Sequence, residues 1–363
     1  MGQTSLTDFI DLQGSDSLEL LSNDRIAELT KLDADRVWKS TRVRQRFILR
    51  QGKEPLDLAH EVLDRFLEKT QLGERDIEAL ALVHTDYNAG IHDEIGESIA
   101  SRIGIDRDHV RSMSLGCVGF VKVLEYASSI AHTLSDEKHC LILNVETPDR
   151  YIDARDSRAA PIFAAGATAT SLWNGPGHSL LFAESRDITP PENPKKEDLF
   201  SFVDTEAEDF FGQRSMRTIV RMNGDLAYVN GSALIEKATR ESLERVMSNE
   251  ARRGRGVTVV PHQANAKMIR AFQATVSETL RSERPEWNIP RLNFVNGMEG
   301  MSNVISCTIP SVLARLHKID GVVPPQDGDI VLTPAAGICM ENPGSKMSMG
   351  IGALEWHPDA YKR

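Results

Sequence analysis

The hydrophobic pattern along the chain alternates between helical spacing and short unbroken apolar runs. Residues 56–70 place apolar side chains at helical intervals, whereas residues 77–83, 140–145 and 167–173 are stretches of strand length in which apolar residues predominate. Continuous apolar strands are typical of sheets that are buried on both faces. Strands of this kind alternating with helices predict an α/β protein with a largely parallel or mixed sheet covered by helices.

The same order of elements begins again in the second part of the chain. A strand at residues 257–260 is followed by a helix, and further strands are predicted at residues 329–332 and 347–356. Between the two parts lies a region rich in proline and acidic residues, which indicates a long connection. The sequence therefore predicts two similar halves whose central helices begin close together. Their bounds are 1–173 for the first half, 174–216 for the connecting region and 217–363 for the second half.

Charge and composition narrow the function classes. The 363-residue chain carries a formal net charge of −11, which argues against general binding to nucleic acids or anionic membranes, since both require basic surfaces. The start of the chain has no basic segment followed by an apolar run, and no apolar stretch approaches the length of a membrane span. The four cysteines are scattered without metal-ligand spacing. We expect a cytoplasmic protein with reduced thiols and no metal site.

Cys117 lies where a predicted strand turns into a predicted helix. A thiol at a helix N-terminus faces the positive end of the helix dipole, which predicts a lowered pKa and a nucleophilic thiolate. Such a thiolate can attack an acyl group. The alternative interpretation of Cys117 is a small buried apolar residue.

Two residues of the second half, His262 and Asn303, occupy comparable positions. His262 follows a buried strand and precedes a helix, so its imidazole can be held rigidly for proton transfer or hydrogen bonding. Asn303 follows a loop that contains two glycines, and its alternative role is a helix N-cap. Strand ends and helix starts converge on one cleft in α/β folds. We therefore expect Cys117, His262 and Asn303 to form one catalytic group.

The order Cys, His, Asn also occurs in papain-like proteases, with comparable spacing. Cys117 lacks the Cys-Gly-Ser-Cys-Trp surroundings of those proteases and lies well inside the chain. It also belongs to repeated strand-helix units in a chain without a secretory signal. These features argue against a protease.

Three motifs resemble those of the β-ketoacyl-acyl-carrier-protein synthase III family of thiolase-like condensing enzymes. Residues 116–120 (Gly-Cys-Val-Gly-Phe) are similar to its nucleophile motif, and residues 260–265 (Val-Pro-His-Gln-Ala-Asn) are similar to its histidine motif. Residues 302–303 (Ser-Asn) fall where the family has its asparagine. The resemblance implies a thiolase-like five-layered αβαβα fold and a homodimer.

The resemblance also implies a mechanism in which Cys117 takes an acyl group from a thioester. A second thioester loses carbon dioxide, and its α-carbon then attacks the acyl group. His262 and Asn303 would hydrogen-bond the carbonyl oxygen of the second thioester, while the backbone N–H groups of Cys117 and Gly337 would form an oxyanion hole. The family requires no cofactor, and its substrates are thioesters of coenzyme A or of an acyl carrier protein.

This sequence departs from the family pattern at residues that, in the family, bind the substrate or border the path by which it reaches the cysteine. The tryptophan and arginine that hold the adenine of coenzyme A in the family fall on Arg36 and Ser40, and a family glycine is replaced by Arg42. A phenylalanine that caps the pocket of the partner subunit falls near His92. These changes predict a specialised relative that accepts a longer or aromatic acyl group. The residues predicted to govern substrate access and specificity are Arg36, Arg42, Arg44, His92 and Phe163.

Two other functions remain open on the sequence. The enzyme could transfer the Cys117-bound acyl group to an oxygen or nitrogen nucleophile without forming a carbon–carbon bond, with His262 as general base. The chain could also be a catalytically silent subunit of a heterodimer, although the presence of Cys117, His262 and Asn303 argues against this.

Overall fold

The fold is given by a computed structural model that describes residues 4–12, 14–87, 90–193 and 197–358. The ends of the predicted halves (residues 1–3 and 359–363) and residues 194–196 of the predicted connecting region lie outside the described residues. No helix in the described ranges is long and apolar enough to cross a membrane.

The α-helices are α1 (Asn23–Thr30), α2 (Ala34–Thr41), α3 (Pro55–Thr70), α4 (Ile91–Ile103), α5 (Gly119–Ile130), α6 (Gly224–Met247), α7 (Ala266–Glu283), α8 (Met298–Met301) and α9 (Thr308–Arg315). The strands are β1 (Thr4–Leu6), β2 (Ile10–Asp11), β3 (Leu18–Ser22), β4 (Gln45–Leu49), β5 (Ile77–Val83), β6 (Val110–Met113), β7 (His139–Glu146), β8 (Gly166–Asn174), β9 (His178–Ile188), β10 (Phe200–Glu208), β11 (Arg214–Met222), β12 (Val257–Val259), β13 (Leu292–Phe294), β14 (Ile330–Leu332), β15 (Ala335–Ile338) and β16 (Met347–Glu355).

The main sheet contains two sets of strands with the same topology. Its order is β13-β12-β14-β16-β9 on one side and β1-β8-β7-β5-β6 on the other, and antiparallel pairing of β1 with β9 joins the two sets. In each set three neighbouring strands are parallel and the next strand is antiparallel. This shared topology confirms the two similar halves that the element order predicted.

Alternating side chains along the strands separate the core into layers. On β7, Cys140 and Ile142 pack with α5 and α9, whereas Leu141 and Leu143 pack with α3 and α4 on the other face. In the second half, Val331 faces the same middle layer, and its strand neighbours face α6 and α7. Period-two alternation therefore places one helical layer between the sheet halves and one outside each, which is the expected αβαβα arrangement.

The region predicted as a connection, residues 174–216, is more regular than its composition suggests. Residues 178–188 form β9, a strand of the main sheet, and β10 and β11 form a separate antiparallel hairpin. The longest helix, α6, was not predicted, although it carries buried apolar residues at helical intervals. The prolines that suggested a connection lie mainly in the segment between β9 and β10.

The helix expected to open at Asn303 begins later than predicted. Asn303 itself forms an isolated bridge with Phe163, a short 3₁₀ turn follows at Ile305–Cys307, and α9 starts at Thr308. The start of α5 nevertheless lies beside the turn that precedes α9. A Cβ atom on Gly119, the first residue of α5, would lie 2.9 Å from the Cβ atom of Ser306 in that turn. The fold thus brings the Cys117 and Asn303 segments together, as the repeat predicted.

Candidate active site

Cys117 lies in the turn between β6 and α5, two residues before the helix begins. The turn closes through a hydrogen bond from the Gly119 N–H to the Gly116 carbonyl oxygen at 2.8 Å. Strand β15 passes directly beside the thiol. A Cβ atom on Gly337 would lie 2.5 Å from the Cys117 Cβ and 2.9 Å from its Sγ, so any larger residue would displace the cysteine.

The acidity of Cys117 differs from the sequence expectation. Burial raises the pKa of the Cys117 thiol to about 12, and the nearby Glu146 carboxylate also disfavours the thiolate. The helix dipole favours a thiolate, but the loss of solvation depends on how the rest of the chain packs over the thiol and has the larger effect. In the free protein Cys117 is therefore a neutral thiol near pH 7.

His262 is fully buried and is fixed from both its backbone and its ring. Its N–H donates to the Pro334 carbonyl oxygen at 2.9 Å, and its Nδ1 lies 2.7 Å from the Thr308 Oγ1. Its Nε2 is buried and has no hydrogen-bond partner among the described residues. Burial lowers the pKa of His262 to about 3, so the imidazole is neutral at physiological pH.

Asn303 is held in a strained loop with its amide group oriented. Its Oδ1 accepts the N–H of Ile305 at 3.0 Å, which leaves Nδ2 as the donor end of the side chain. Ser302 has φ 67° and ψ −169°, and Ile305 has φ 47°, conformations that serine and a β-branched residue rarely adopt. The loop is also paired to the first half, since the Asn303 N–H donates to the Ile162 carbonyl at 2.9 Å.

A buried carboxyl group, Glu146, connects the segments that carry the candidate catalytic residues. It accepts hydrogen bonds from the N–H and Oγ1 of Thr85, at 3.1 and 2.9 Å, and from the Ser306 hydroxyl. The Thr85 hydroxyl also contacts the Leu115 carbonyl oxygen in the turn before Cys117, and its single proton serves one of these two acceptors at a time. Burial raises the pKa of Glu146 to about 8, against the opposing effect of these hydrogen bonds.

The three predicted catalytic residues line one cavity of about 230 Å³. Gly337 and Phe163, two further predicted residues, line it as well. Most of the remaining wall is apolar, and Asp156 and Arg158 are its charged residues among those described. The rest of the lining consists of Ala159, Ile162, Val220, Met222, Gly224, Ala227, Tyr228, Gly231, Ala264, Asn265, Met268, Ala336, Ile338 and Met347.

The other residues predicted to govern substrate access lie elsewhere in the described chain. Arg36 is exposed on α2. Arg42 and Arg44 both lie over the Trp38 ring, with guanidinium carbons 5.3 and 4.6 Å from its centre. Arg44 also pairs with Glu299. His92 is buried in the first turn of α4, 9% exposed, and its Nδ1 has no partner among the described atoms. Within the described residues, the lining of the Cys117 cavity therefore includes Phe163 but not these four.

Nothing in the sequence indicated the wall formed by α6 and by the last residue of β11. The notable positions are Gly231 and Tyr228 on α6 and Met222 at the end of β11. The helical spacing of apolar residues in α6 was a signal for the helix, but no motif indicated that it faces the cysteine. Thr308 and Glu146, which contact the catalytic segments, carry no recognisable spacing relative to them.

The sequence is similar to those of known synthases. Residues 112–186 match the family model for 3-oxoacyl-[acyl-carrier-protein (ACP)] synthase III. A β-ketoacyl-[acyl-carrier-protein] synthase III from Xylella fastidiosa is 24% identical over 253 residues, which cover 70% of this chain and 75% of the relative.

Solved structures share the fold over nearly the whole chain. The 3-oxoacyl-(acyl carrier protein) synthase III of Pseudomonas aeruginosa PAO1 superposes with a TM-score of 0.71 at 22% identity, covering 98% of both chains. The priming β-ketosynthase from the R1128 polyketide biosynthetic pathway superposes with a TM-score of 0.70 at 18% identity, covering 98% of this chain and 96% of the other. The chain therefore has the thiolase-like fold of these synthases, and residues 112–186, which include Cys117, resemble the 3-oxoacyl-[acyl-carrier-protein (ACP)] synthase III family in sequence.

Proposed function

We propose that this enzyme loads an acyl group on Cys117 and joins it to a second thioester by decarboxylative Claisen condensation. The observation that carries the proposal is the shared cavity. A thiol, an imidazole with an unpartnered Nε2 and an oriented amide donor meet in one otherwise mainly apolar space. A condensing enzyme needs this combination, a nucleophile that holds the acyl group and donors for a developing enolate.

The first half-reaction transfers the acyl group. The Cys117 sulfur forms a bond to the acyl carbonyl carbon, the bond from that carbon to the donor sulfur breaks, and the thiol proton ends on the departing thiol. The backbone N–H groups of Cys117 and Gly337 are the proposed oxyanion donors. In support, β15 runs so close to the turn that a Cβ on Gly337 would lie 3.3 Å from the Cys117 nitrogen.

The second half-reaction forms the carbon–carbon bond. The bond between the carboxylate and the α-carbon of a malonyl-type thioester breaks, carbon dioxide leaves, and the electron pair moves into an enolate. His262 Nε2 and Asn303 Nδ2 are the proposed donors to the enolate oxygen. The α-carbon then attacks the acyl carbonyl carbon, and the Cys117 sulfur leaves and regains a proton.

The walls of the cavity support an apolar acyl group longer than acetyl. Side chains that line it from separate elements include Val220, Met222, Met268 and Met347. Methionine side chains adapt to irregular apolar ligands. We propose that the donor is an acyl thioester of coenzyme A or of an acyl carrier protein, and that the product enters fatty-acid-type or specialised metabolism.

We also propose that the enzyme is a homodimer. The family resemblance implies a dimer, and β6 lies at one end of the strand order of the main sheet, where a second copy could add its own strand. Size-exclusion chromatography with light scattering tests this proposal, and a monomer at assay concentration would contradict it.

The central experiment follows the two half-reactions separately. Purified enzyme is incubated with acyl-coenzyme A thioesters of graded chain length, and intact-protein mass spectrometry detects acyl mass on Cys117. A malonyl thioester is then added and carbon dioxide release is measured. We expect acylation of the wild-type protein and of a Cys140→Ala control, whose thiol is fully buried in β7, and no acylation of Cys117→Ala.

The outcomes separate the candidate functions. Acylation followed by carbon dioxide release supports condensation. Acylation without carbon dioxide release, but with loss of the acyl mass on adding an alcohol or amine, indicates the acyltransferase alternative. Absence of acylation from both coenzyme A and carrier-protein donors contradicts the proposed function and favours a silent subunit.

A further inference from the structure

We propose that a second cleft, separate from the Cys117 cavity, binds a zwitterionic α-amino acid, with its ammonium group at Asp149 and its carboxylate at Arg217. The cleft has a volume of about 190 Å³. It lies where the turn between β4 and α3, the 3₁₀ turn after β7 and the tip of the β10–β11 hairpin meet. It shares no described lining residue with the Cys117 cavity, so the inference does not depend on the proposed condensation.

Two charged side chains that line the cleft each leave one buried atom without a partner. Asp149 is 7% exposed, and its Oδ2 accepts the N–H of Leu49 at 2.9 Å. Its Oδ1 has no hydrogen-bond partner among the described residues. Arg217 donates through Nη2 to the Arg150 carbonyl oxygen at 2.8 Å, whereas its Nη1 has no partner in the described chain. Because an unsatisfied buried polar group is costly, these atoms favour a ligand that gives a donor to Asp149 and an acceptor to Arg217.

Most other charged groups around the cleft already have partners. Arg150 pairs with Glu54, Lys53 pairs with Asp57 at 3.3 Å, and Asp209 accepts two backbone N–H groups of its own loop at 2.9 Å. Arg50 is exposed, and its printed contact is a long one of 3.4 Å to the Leu18 carbonyl oxygen. One carboxylate and two guanidinium groups are therefore available to a ligand.

An α-amino acid matches this set of charges. Its carboxylate can accept two parallel hydrogen bonds from a guanidinium group, and its ammonium group can donate to a carboxylate. Burial raises the pKa of Asp149 to about 6, even with Arg150 and Arg217 nearby, so near pH 7 the carboxylate is ionised. An ionised Asp149 repels a simple anion, and the two free guanidinium groups repel a simple cation. A ligand that carries both charges avoids either repulsion.

The cleft also has an apolar wall. Phe211, at the tip of the hairpin, is half-buried and lines the cleft together with the buried side chains of Leu49 and Phe210. Contact with this wall removes apolar surface of a ligand from water, which favours binding. We therefore expect an amino acid with an apolar side chain, such as L-phenylalanine, to bind more tightly than glycine.

Isothermal titration calorimetry of the free enzyme with L-phenylalanine, in the absence of thioesters, tests the inference. We expect saturable binding at one site per chain. 3-Phenylpropanoate lacks the ammonium group and 2-phenylethylamine lacks the carboxylate, so each should bind about 10–100-fold more weakly, because hydrogen bonds between charged groups are lost. Glycine should also bind about 10–100-fold more weakly, because it has no apolar side chain to bury.

Two substitutions locate the site. Asp149→Asn keeps an oxygen for the Leu49 N–H but removes the charge, and Arg217→Gln removes the guanidinium group. Each should weaken phenylalanine binding by about 10–100-fold. The matched controls are Asp204→Asn and Arg221→Gln, at exposed positions of the same hairpin that do not line the cleft, and both should bind as wild type.

Four results would overturn the inference. Absence of saturable binding at about 10 mM L-phenylalanine, where a site with a Kd of about 1 mM would be nearly filled, would leave water as the partner of both buried atoms. Equal binding of 3-phenylpropanoate would show a plain anion site. Unchanged binding in Asp149→Asn and Arg217→Gln would place the ligand elsewhere, and loss of binding in Gly231→Leu, which narrows the Cys117 cavity, would place it there. Because no thioester takes part, the proposed condensation can fail without affecting any of these results.

Discussion

Gly231 on α6 is expected to set the length of the acyl group. It lies inside a 24-residue helix, where glycine is less favourable than alanine by about 1 kcal/mol. It also lines the Cys117 cavity, so its missing side chain leaves space for substrate. A Cβ atom at this position would lie 3.4 Å from the Met268 Cε and 4.0 Å from the Met347 Cε, which are ordinary contact distances.

The substitution Gly231→Ala should therefore stabilise the protein while narrowing the cavity. We expect the free energy of unfolding to rise by about 1 kcal/mol from helix propensity. One added carbon removes room for about one methylene of the acyl chain. Binding of one methylene in an apolar pocket contributes roughly 1–3 kcal/mol to transition-state binding, which corresponds to a factor of about 10–200 in kcat/KM. The loss should fall on the longest acyl group that the wild-type enzyme accepts, and shorter chains should be unaffected.

The assay is the rate of Cys117 acylation against a series of acyl thioesters, together with chemical unfolding. Gly231→Leu should shift the preferred length further, whereas Ala233→Leu, at an exposed position of the same helix, should leave it unchanged. An unaltered chain-length profile in a stabilised Gly231→Ala protein would refute the argument, because it would show that the acyl chain occupies another space.

Other substitutions test the remaining features of the site. Gly337→Ala should abolish acylation without unfolding the protein, because the added Cβ would lie 2.5 Å from the Cβ of Cys117. Gly300→Ala is the control, since a Cβ at Gly300 would lie in open space, and mass spectrometry should show normal acylation of this variant. Alkylation of Cys117 by iodoacetamide should rise about tenfold per pH unit from pH 7 to 10, because burial raises the thiol pKa to about 12; a plateau near pH 8 would contradict this. Ser302→Gly should be more stable than Ser302→Ala by about 1–3 kcal/mol in urea unfolding, because both lose the hydroxyl but only glycine relieves the positive φ of 67°; equal stabilities would show that the loop is unstrained.

Much of the architecture could be predicted from the sequence because it depends on local periodicity. The strand over residues 77–83 has the bounds that its apolar run indicated, and the repeat of strand and helix order appears as a shared strand topology. The repeat and the family resemblance together predicted that Cys117, His262 and Asn303 lie close together, and the three residues line one cavity. Their catalytic roles stay a prediction.

The walls of the cavity could not be predicted because they depend on packing between distant segments. Proline content suggested that residues 174–216 form a connection, yet pairing with β1 and β16 makes residues 178–188 a central strand. The same limitation affected Arg42. It adopts a left-handed conformation with φ 60° at the end of α2 and lies over Trp38, so it contacts that ring and does not line the cavity.

The acidity of Cys117 shows why a local motif is a poor guide to reactivity. A helix N-terminus stabilises a negative charge by at most about 2 kcal/mol. Burial nevertheless raises the pKa of the Cys117 thiol to about 12, against a backbone hydrogen bond that lowers it, so loss of solvation has the larger effect. A neutral thiol reacts slowly with small electrophiles. Acylation then requires a bound thioester whose carbonyl oxygen is stabilised as the thiol proton leaves, so the same burial that suppresses unspecific alkylation would make Cys117 selective for the substrate that fills the cavity.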